Sequence, residues 1–162
     1  MPLLLARVDD RLIHGQVAHG WGAALKPTLF LVVSDALAAD SASAELYLLA
    51  VPEGARGRFV SVREALLPET RSAVERERTL LLFPGLDEAV RLVEGGFPIA
   101  SLNLGRLHHA PGREAVLPYV FLDEADKDRL RRLRALGVRI AARDLPSNPE
   151  HALADLLPGG AP

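Results

Sequence analysis

No cysteine occurs anywhere in the 162 residues, which excludes disulfides, thiolate metal sites and a cysteine nucleophile. Charge of one sign is not in excess either. Nineteen Lys and Arg face 21 Asp and Glu, a formal net charge of -2, so nothing draws the chain to nucleic acid or to an anionic lipid surface. No apolar run approaches the roughly 18 residues needed to span a bilayer. The opening Met1-Pro-Leu-Leu-Leu-Ala-Arg7 is too short for the apolar part of a secretory signal and lacks its basic lead-in. The expectation is a water-soluble, cytoplasmic protein that works at a membrane only through partners. Side-chain amides are scarce, with Gln16, Asn103 and Asn148 alone; a thermophilic source or a GC-rich genome explains that equally well, and neither bears on function. Phosphate-loop, dinucleotide-fingerprint and nucleophile-elbow motifs are missing too.

What is present has a regular rhythm. Hydrophobic residues make up 49% and charged residues 25%, normal proportions for one globular core. Short apolar runs at residues 3–8, 28–33, 58–61, 79–83, 99–103, 119–122 and 138–141 are continuous rather than alternating, the pattern of strands buried on both faces of a parallel sheet. Between them lie segments of helical period with recognisable ends. Ser61-Val-Arg-Glu64 reads as a capping box, in a helix that Pro68 cuts off. Asp123 caps a helix with Leu130, Leu133 and Leu136 on one face, stopped by Gly137. Residues 40–50 form a helix with Leu46 and Leu49 inward, and residues 87–94 one with Ala89, Val90 and Val93 inward. This alternation predicts an α/β domain with helices on both faces of a mostly parallel sheet of about six to seven strands. One domain is expected over residues 1–157, with a flexible tail at 158–162.

In such sheets ligands sit beyond the carboxyl ends of the strands. The first strand runs into Asp9-Asp10-Arg11-Leu12-Ile13-His14-Gly15-Gln16-Val17, with two carboxylates, a guanidinium and an imidazole in six residues. Arg11 offers a planar fork suited to phosphate oxygens. The amides of Gly15 and Gln16, at the start of the next helix, favour an anion. Asp10 or Asp9 can hold one imidazole nitrogen protonated and leave the other as nucleophile. Phosphoryl transfer needs little else. The plainer reading of the same residues is a solvated turn in which Arg11 pairs with Asp9.

The turns at Ser34-Asp35, Pro84-Gly85 and Asn103-Leu104-Gly105 can line the same rim, and are equally ordinary turn chemistry. His108-His109 lacks a third ligand at useful spacing, so no metal is expected. His19 points away from His14 on a helix, and His151 reads as a surface residue.

Arg7-Val-Asp-Asp-Arg-Leu-Ile-His14-Gly-Gln-Val17 resembles the active-site segment of the enzyme IIB subunits of the mannose, fructose and sorbose class of the phosphoenolpyruvate-dependent phosphotransferase system. The resemblance continues in order through Val32-Val-Ser-Asp35, Leu80-Leu-Leu-Phe83, Val93-Glu-Gly-Gly-Phe-Pro98, Leu102-Asn-Leu-Gly105 and Leu122-Asp-Glu-Ala-Asp126. It implies a three-layer α/β/α fold. It implies that His14 is phosphorylated on Nδ1 by a IIA partner and passes the group to a sugar entering through membrane IIC and IID subunits. Asp10 and Arg11 are then its orienting and charge-stabilising neighbours, and Gly15, Gln16, Ser34, Asp35 and Gly105 the expected phosphate-binding residues. No cofactor or nucleic acid is implied, and a homo-oligomer stays open. The chain departs from the family at Gly105-Arg106, where Gly-Gly is frequent, at Ser34, where Asn is frequent, and over residues 108–113 and 115–118. These positions bear on sugar specificity and partner choice. A regulatory phosphate-binding or phospho-accepting module is the alternative from another class. A stand-alone hydrolase is a third reading, and it lacks a second catalytic constellation.

Overall fold

Strands that read as continuously apolar are buried on both faces. All five residues of Leu29–Val33 and all five of Thr79–Phe83 are buried, with alternate side chains entering two separate cores. The structure, a computed structural model, describes residues 3–157; the tail expected at 158–162 lies outside the described residues. In chain order the elements are β1 (Leu3–Asp9), a π-helical turn (Gln16–Trp21) running into α1 (Gly22–Leu25), β2 (Leu29–Val33), α2 (Asp35–Ala38), α3 (Ser41–Leu48), β3 (Arg56–Val60), α4 (Val62–Ala65) and α5 (Pro68–Arg76). Then follow β4 (Thr79–Phe83), α6 (Leu86–Glu94), β5 (Ser101–Arg106), β6 (Glu114–Leu117), β7 (Val120–Leu122), α7 (Glu124–Ala135), β8 (Arg139–Ala142), β9 (His151–Ala152) and α8 (Leu153–Leu156).

Seven strands form one sheet in the order β3-β2-β4-β1-β5-β8-β9. Every neighbouring pair is parallel except β8 with β9. Helices α4 to α7 cover one face, where Val62, Ala65, Val74, Ala89, Leu92, Leu130 and Leu133 meet Ala6, Val8, Leu81 and Phe83. The π turn, with Val17 and Trp21, covers the other face, where Tyr47 of α3 also packs against Phe30, Val32, Leu80 and Leu82. This is the three-layer α/β/α architecture expected. The chain leaves β1 toward β2 on one side and later crosses to β5 on the other, so β1 stands where the winding reverses. At that reversal the carboxyl end of a strand opens into a crevice.

Several local expectations are corrected. Residues 119–122 are not in the main sheet. They supply β7, paired antiparallel with β6, because the short link between the two strands permits only a hairpin, whereas parallel neighbours need a long crossover. Leu46 and Leu49 are 70% and 83% exposed. Helix α3 instead turns Ala44, Tyr47 and Leu48 inward, an equally good helical spacing. Leu136 also faces solvent, while Leu130 and Leu133 are buried as expected. Pro68 opens α5 at its first turn, where its missing N–H costs nothing. The capping boxes at Ser61–Glu64 and Asp123–Asp126 are both formed.

Candidate functional site

Arg7 is the anomaly from which the site is built, a guanidinium fully buried within a strand. Such burial is tolerated only when every donor is satisfied. Its Nε and Nη2 donate to Asp9 Oδ2 at 3.2 and 3.0 Å. Its Nη1 donates to Asn103 Oδ1 at 2.6 Å and to the carbonyl of Arg143 at 2.9 Å. The second Nη2 hydrogen reaches the carbonyl of Asp144 at 3.0 Å. All five hydrogens are used. The indole of Trp21 stacks near the guanidinium, 5.3 Å from ring centroid to Cζ, and donates its own N–H to Asp144 O at 2.8 Å.

Gly105 follows from this arrangement. A Cβ there would lie 1.9 Å from Arg7 Cζ, so no larger residue fits while the guanidinium keeps its place. Gly105 is packed against Arg7, so any part it takes in binding phosphate is through its backbone. The register of β1 against β5 shifts at this point, between Val8 and Asp9.

Arg7 and Asp9 are two apart on one strand and share a face. The Asp9 carboxylate is also fully buried. It accepts Arg11 N–H through Oδ1 at 3.0 Å and faces His14 Nε2 through Oδ2 at 3.0 Å. Burial pushes the Asp9 carboxyl up. The hydrogen bond from His14, the charge of Arg7 and the Arg11 amide outweigh it and hold the group below the usual carboxylate range. Burial likewise pulls Arg7 below its ordinary value, against the attraction of Asp9; an arginine remains charged all the same. An ionised Asp9 can only accept, so Nε2 of His14 carries the proton and Nδ1 holds the lone pair. Nδ1 has no hydrogen-bond partner among the described residues, and the side chain is 18% exposed.

The turn that delivers His14 is constrained. Leu12 adopts a left-handed φ of 56° and donates its N–H to Asp9 O at 2.9 Å. That conformation costs about 1–2 kcal/mol for a non-glycine residue. Leu12 and Ile13 are both buried, and full burial of such a side chain contributes about 1.5–3 kcal/mol, so the strain is offset. Beyond His14, Gly15 has open space around it. It starts a π-helical turn in which the N–H of Gly22 reaches Val17 O, five residues back. The first amides of a helix lack intrahelical acceptors, so those of Gly15 and Gln16 are available beside the imidazole.

The remaining expected site residues fall as follows. Asp10 does not meet His14; of the two carboxylates the sequence left open, Asp9 makes that contact, because side chains alternate along a strand and the face holding Arg7 also holds residue 9. Asp10 Oδ2 accepts instead from the backbone N–H of His108 at 2.7 Å and from that residue's Nδ1. The Arg11 side chain is exposed and makes no ion pair among the described residues; its backbone, not its guanidinium, reaches Asp9. Ser34 Oγ accepts the N–H of Leu37 as the cap of α2. Asp35 accepts Val62 N–H at 2.9 Å and pairs with Arg91 at 2.8 Å. The amide of Val62, then Arg91, lowers its carboxyl below the ordinary range. Both residues are engaged at the end of β2, two strands from β1, and a carboxylate would repel a phosphoryl group. His151 is half-buried in β9, and His19 is exposed. Among the described residues no three His, Asp or Glu side chains are placed to hold a metal ion.

Arg7, Asp9, Asn103 and His108 are the residues that the sequence reading undervalued. One signal was available for the first two: a charge inside an apolar strand pattern, followed by an opposite charge two residues on.

The profile described as "PTS system sorbose subfamily IIB component" matches residues 3–159. The PTS system mannose-specific EIIAB component of Escherichia coli K12 is 35% identical over 157 residues, 97% of this chain and 49% of that protein. The chain thus spans about half the length of that relative. The sorbose-specific EIIB component of Lacticaseibacillus casei is 34% identical and covers 92% of this chain and 91% of its own length. The crystal structure of the IIBSor domain of the sorbose permease from Klebsiella pneumoniae superposes with a TM-score of 0.88 at 31% identity, covering 96% of both chains.

Proposed function

The chain belongs to the sorbose subfamily of phosphotransferase-system IIB components, sugar phosphotransferases, and from that premise we propose that it carries its phosphoryl group on Nδ1 of His14. One observation carries this reading. The buried Asp9 carboxylate accepts the hydrogen bond of Nε2–H and so leaves Nδ1, which has no partner among the described residues, as the nucleophile.

In the first step the Nδ1 lone pair attacks the phosphorus of a phosphorylated IIA partner. A P–N bond forms on His14 as the donor's bond to phosphorus breaks. In the second, a sugar hydroxyl oxygen attacks that phosphorus, the P–N bond breaks, and the hydroxyl proton leaves to solvent. His14 is then free to accept again. Asp9 stabilises the imidazolium character that grows while phosphorus is attached. Arg11, exposed and without an ion pair among the described residues, and the amides of Gly15 and Gln16 meet the phosphoryl oxygens. The sugar arrives through membrane IIC and IID subunits. The protein meets those partners at the inner membrane face; no described helix is long and apolar enough to cross a membrane. Residues 3–157 act as one domain.

The test is incubation with phosphorylated IIA protein, followed by mass mapping under mildly alkaline conditions. Label is expected on His14 alone; label on His19, His108 or His109 in its place rejects the assignment. The labelled protein should then lose phosphate slowly by itself and rapidly to membranes bearing IIC and IID with the cognate sugar. Rapid release of inorganic phosphate from the isolated protein identifies a hydrolase. Slow release that no membrane and sugar accelerate identifies a regulatory module.

A further inference from the structure

The carboxylate of Asp10 is held by His108, across 98 residues of chain. Asp10 Oδ2 accepts both the backbone N–H of His108, at 2.7 Å, and its imidazole Nδ1–H. The Asp10 amide donates to Arg106 O at 3.1 Å. Residue 10 is therefore tied to residues 106–108 by three hydrogen bonds. The His108 carbonyl in turn accepts from Arg113 Nη1 at 3.2 Å, and Arg113 Nε pairs at 3.2 Å with Asp126, in the capping box that opens α7. A continuous polar chain thus runs from the His14 turn to a helix on the sheet. Its one exposed link is the imidazole of His108, 69% accessible. A side chain so exposed ordinarily samples several rotamers; here its own backbone and ring address the same carboxylate oxygen.

We propose that His108 is a positioning residue for phosphoryl transfer at His14, acting through Asp10; the inference rests on the carrier reading above. The turn between Asp9 and His14 contains the strained Leu12, and Asp9 must stay within hydrogen-bond reach of Nε2. Leu12 and Ile13 are buried and hold the middle of the turn. On its exposed flank the hold comes from the Asp10–His108 pair. A small displacement of a nucleophile is costly, since about 1 Å of misplacement lowers a rate by about 10²-fold.

The test replaces His108 with Ala, with Asn and with Gln. Asn places its amide nitrogen where Nδ1 stands, and Gln places it nearer the position of Nε2. The phosphoryl donor is potassium phosphoramidate, which needs no protein partner. Its P–N bond breaks and ammonia leaves as the new bond forms on Nδ1 of His14. His108→Ala and His108→Gln should slow labelling of His14 by about tenfold or more, and His108→Asn should stay within about threefold of wild type. All three should melt with the wild type. The Nε2–H signal of His14 in nitrogen-resolved NMR should persist in wild type and His108→Asn, and broaden in His108→Ala. The Asp10→Ala/His108→Ala double variant should be no slower than either single variant, as for two ends of one link. Wild-type rates in His108→Ala, equal slowing in His108→Asn and His108→Ala, or additive losses in the double variant each overturn the inference alone. A wild-type protein that phosphoramidate labels elsewhere than His14 overturns the carrier reading as well.

Discussion

Four donors converge on the carboxylate of Asp9: Arg7 Nε, Arg7 Nη2, the Arg11 amide and His14 Nε2. Its acidity is the residue-scale lever. The Asp9 carboxyl lies below its ordinary value in the folded protein, so the unfolded chain takes up the proton more readily. The stability it contributes is fully present above the unfolded value, about 3.9, and is lost as pH falls through the lower folded value. Urea midpoints should therefore drop on acidification from about pH 4 downward. In Asp9→Asn that part of the pH dependence should vanish, and at neutral pH the variant should lose about 3–5 kcal/mol, because Arg7 is left buried without its counter-charge. An acid profile unchanged in Asp9→Asn would remove Asp9 from this role. Arg11 behaves oppositely, since nothing in the fold depends on its exposed guanidinium. Arg11→Ala should melt with the wild type yet accept phosphate from IIA about 10²–10³-fold more slowly. Arg11→Lys should recover only part of that loss, because it keeps the charge without the fork. Full speed in both variants would make Arg11 a surface turn residue.

At the scale of elements, the pairing of β1 with β5 depends on what stands between them. The Arg7 guanidinium fills the space a side chain at 105 would need, and its Nη1 bridges to Asn103 on β5. Gly105→Ala should therefore push Arg7 off Asp9 and Asn103, costing about 1–3 kcal/mol as an overpacked site does. The phosphorylation rate should fall with it, as Asp9 loses its anchor. Chemical denaturation and labelling rate together check this; an alanine at 105 with wild-type stability and rate would mean that Arg7 moves freely. The following helix is matched to the site in the same way. A Cβ at Gly20 would lie 2.8 Å from Leu145 Cδ2, in the loop whose Asp144 carbonyl receives both Arg7 and Trp21.

On the scale of the molecule, the reversal of winding at β1 gathers segments remote in sequence. Arg7 binds Asn103, Arg143 and Asp144, more than 90 residues away, and Asp10 binds His108 across 98 residues. The site thus draws on β1, β5 and the segment after β8 at once, and none of its anchors forms until the whole sheet is assembled. Unfolding should accordingly be one cooperative transition. Trp21, the single tryptophan, lies against Arg7 and reports the site, while far-UV circular dichroism reports the sheet and helices. The two urea curves should coincide. A tryptophan transition at distinctly lower urea would show that the site loosens ahead of the sheet, against the single domain proposed.

Local signals carried a large part of this protein into the sequence. Apolar runs of strand length, the capping boxes at Ser61 and Asp123, and the Asp9-to-Val17 segment need only neighbours within a few residues. They were therefore legible as a parallel α/β domain with a histidine at the end of its first strand. Tertiary structure decided which face each helix buries, as Leu46 and Leu49 show, because Ala44, Tyr47 and Leu48 offered an equally good stripe and only the sheet beneath could choose. It also decided which of two adjacent carboxylates serves His14. Residues 9 and 10 carry the same chemistry, but Asp9 ends β1 while Asp10 lies in the turn beyond it and reaches His108. The choice fell to Asp9 because Arg7, pinned by carbonyls and an amide from the far end of the chain, shares its face.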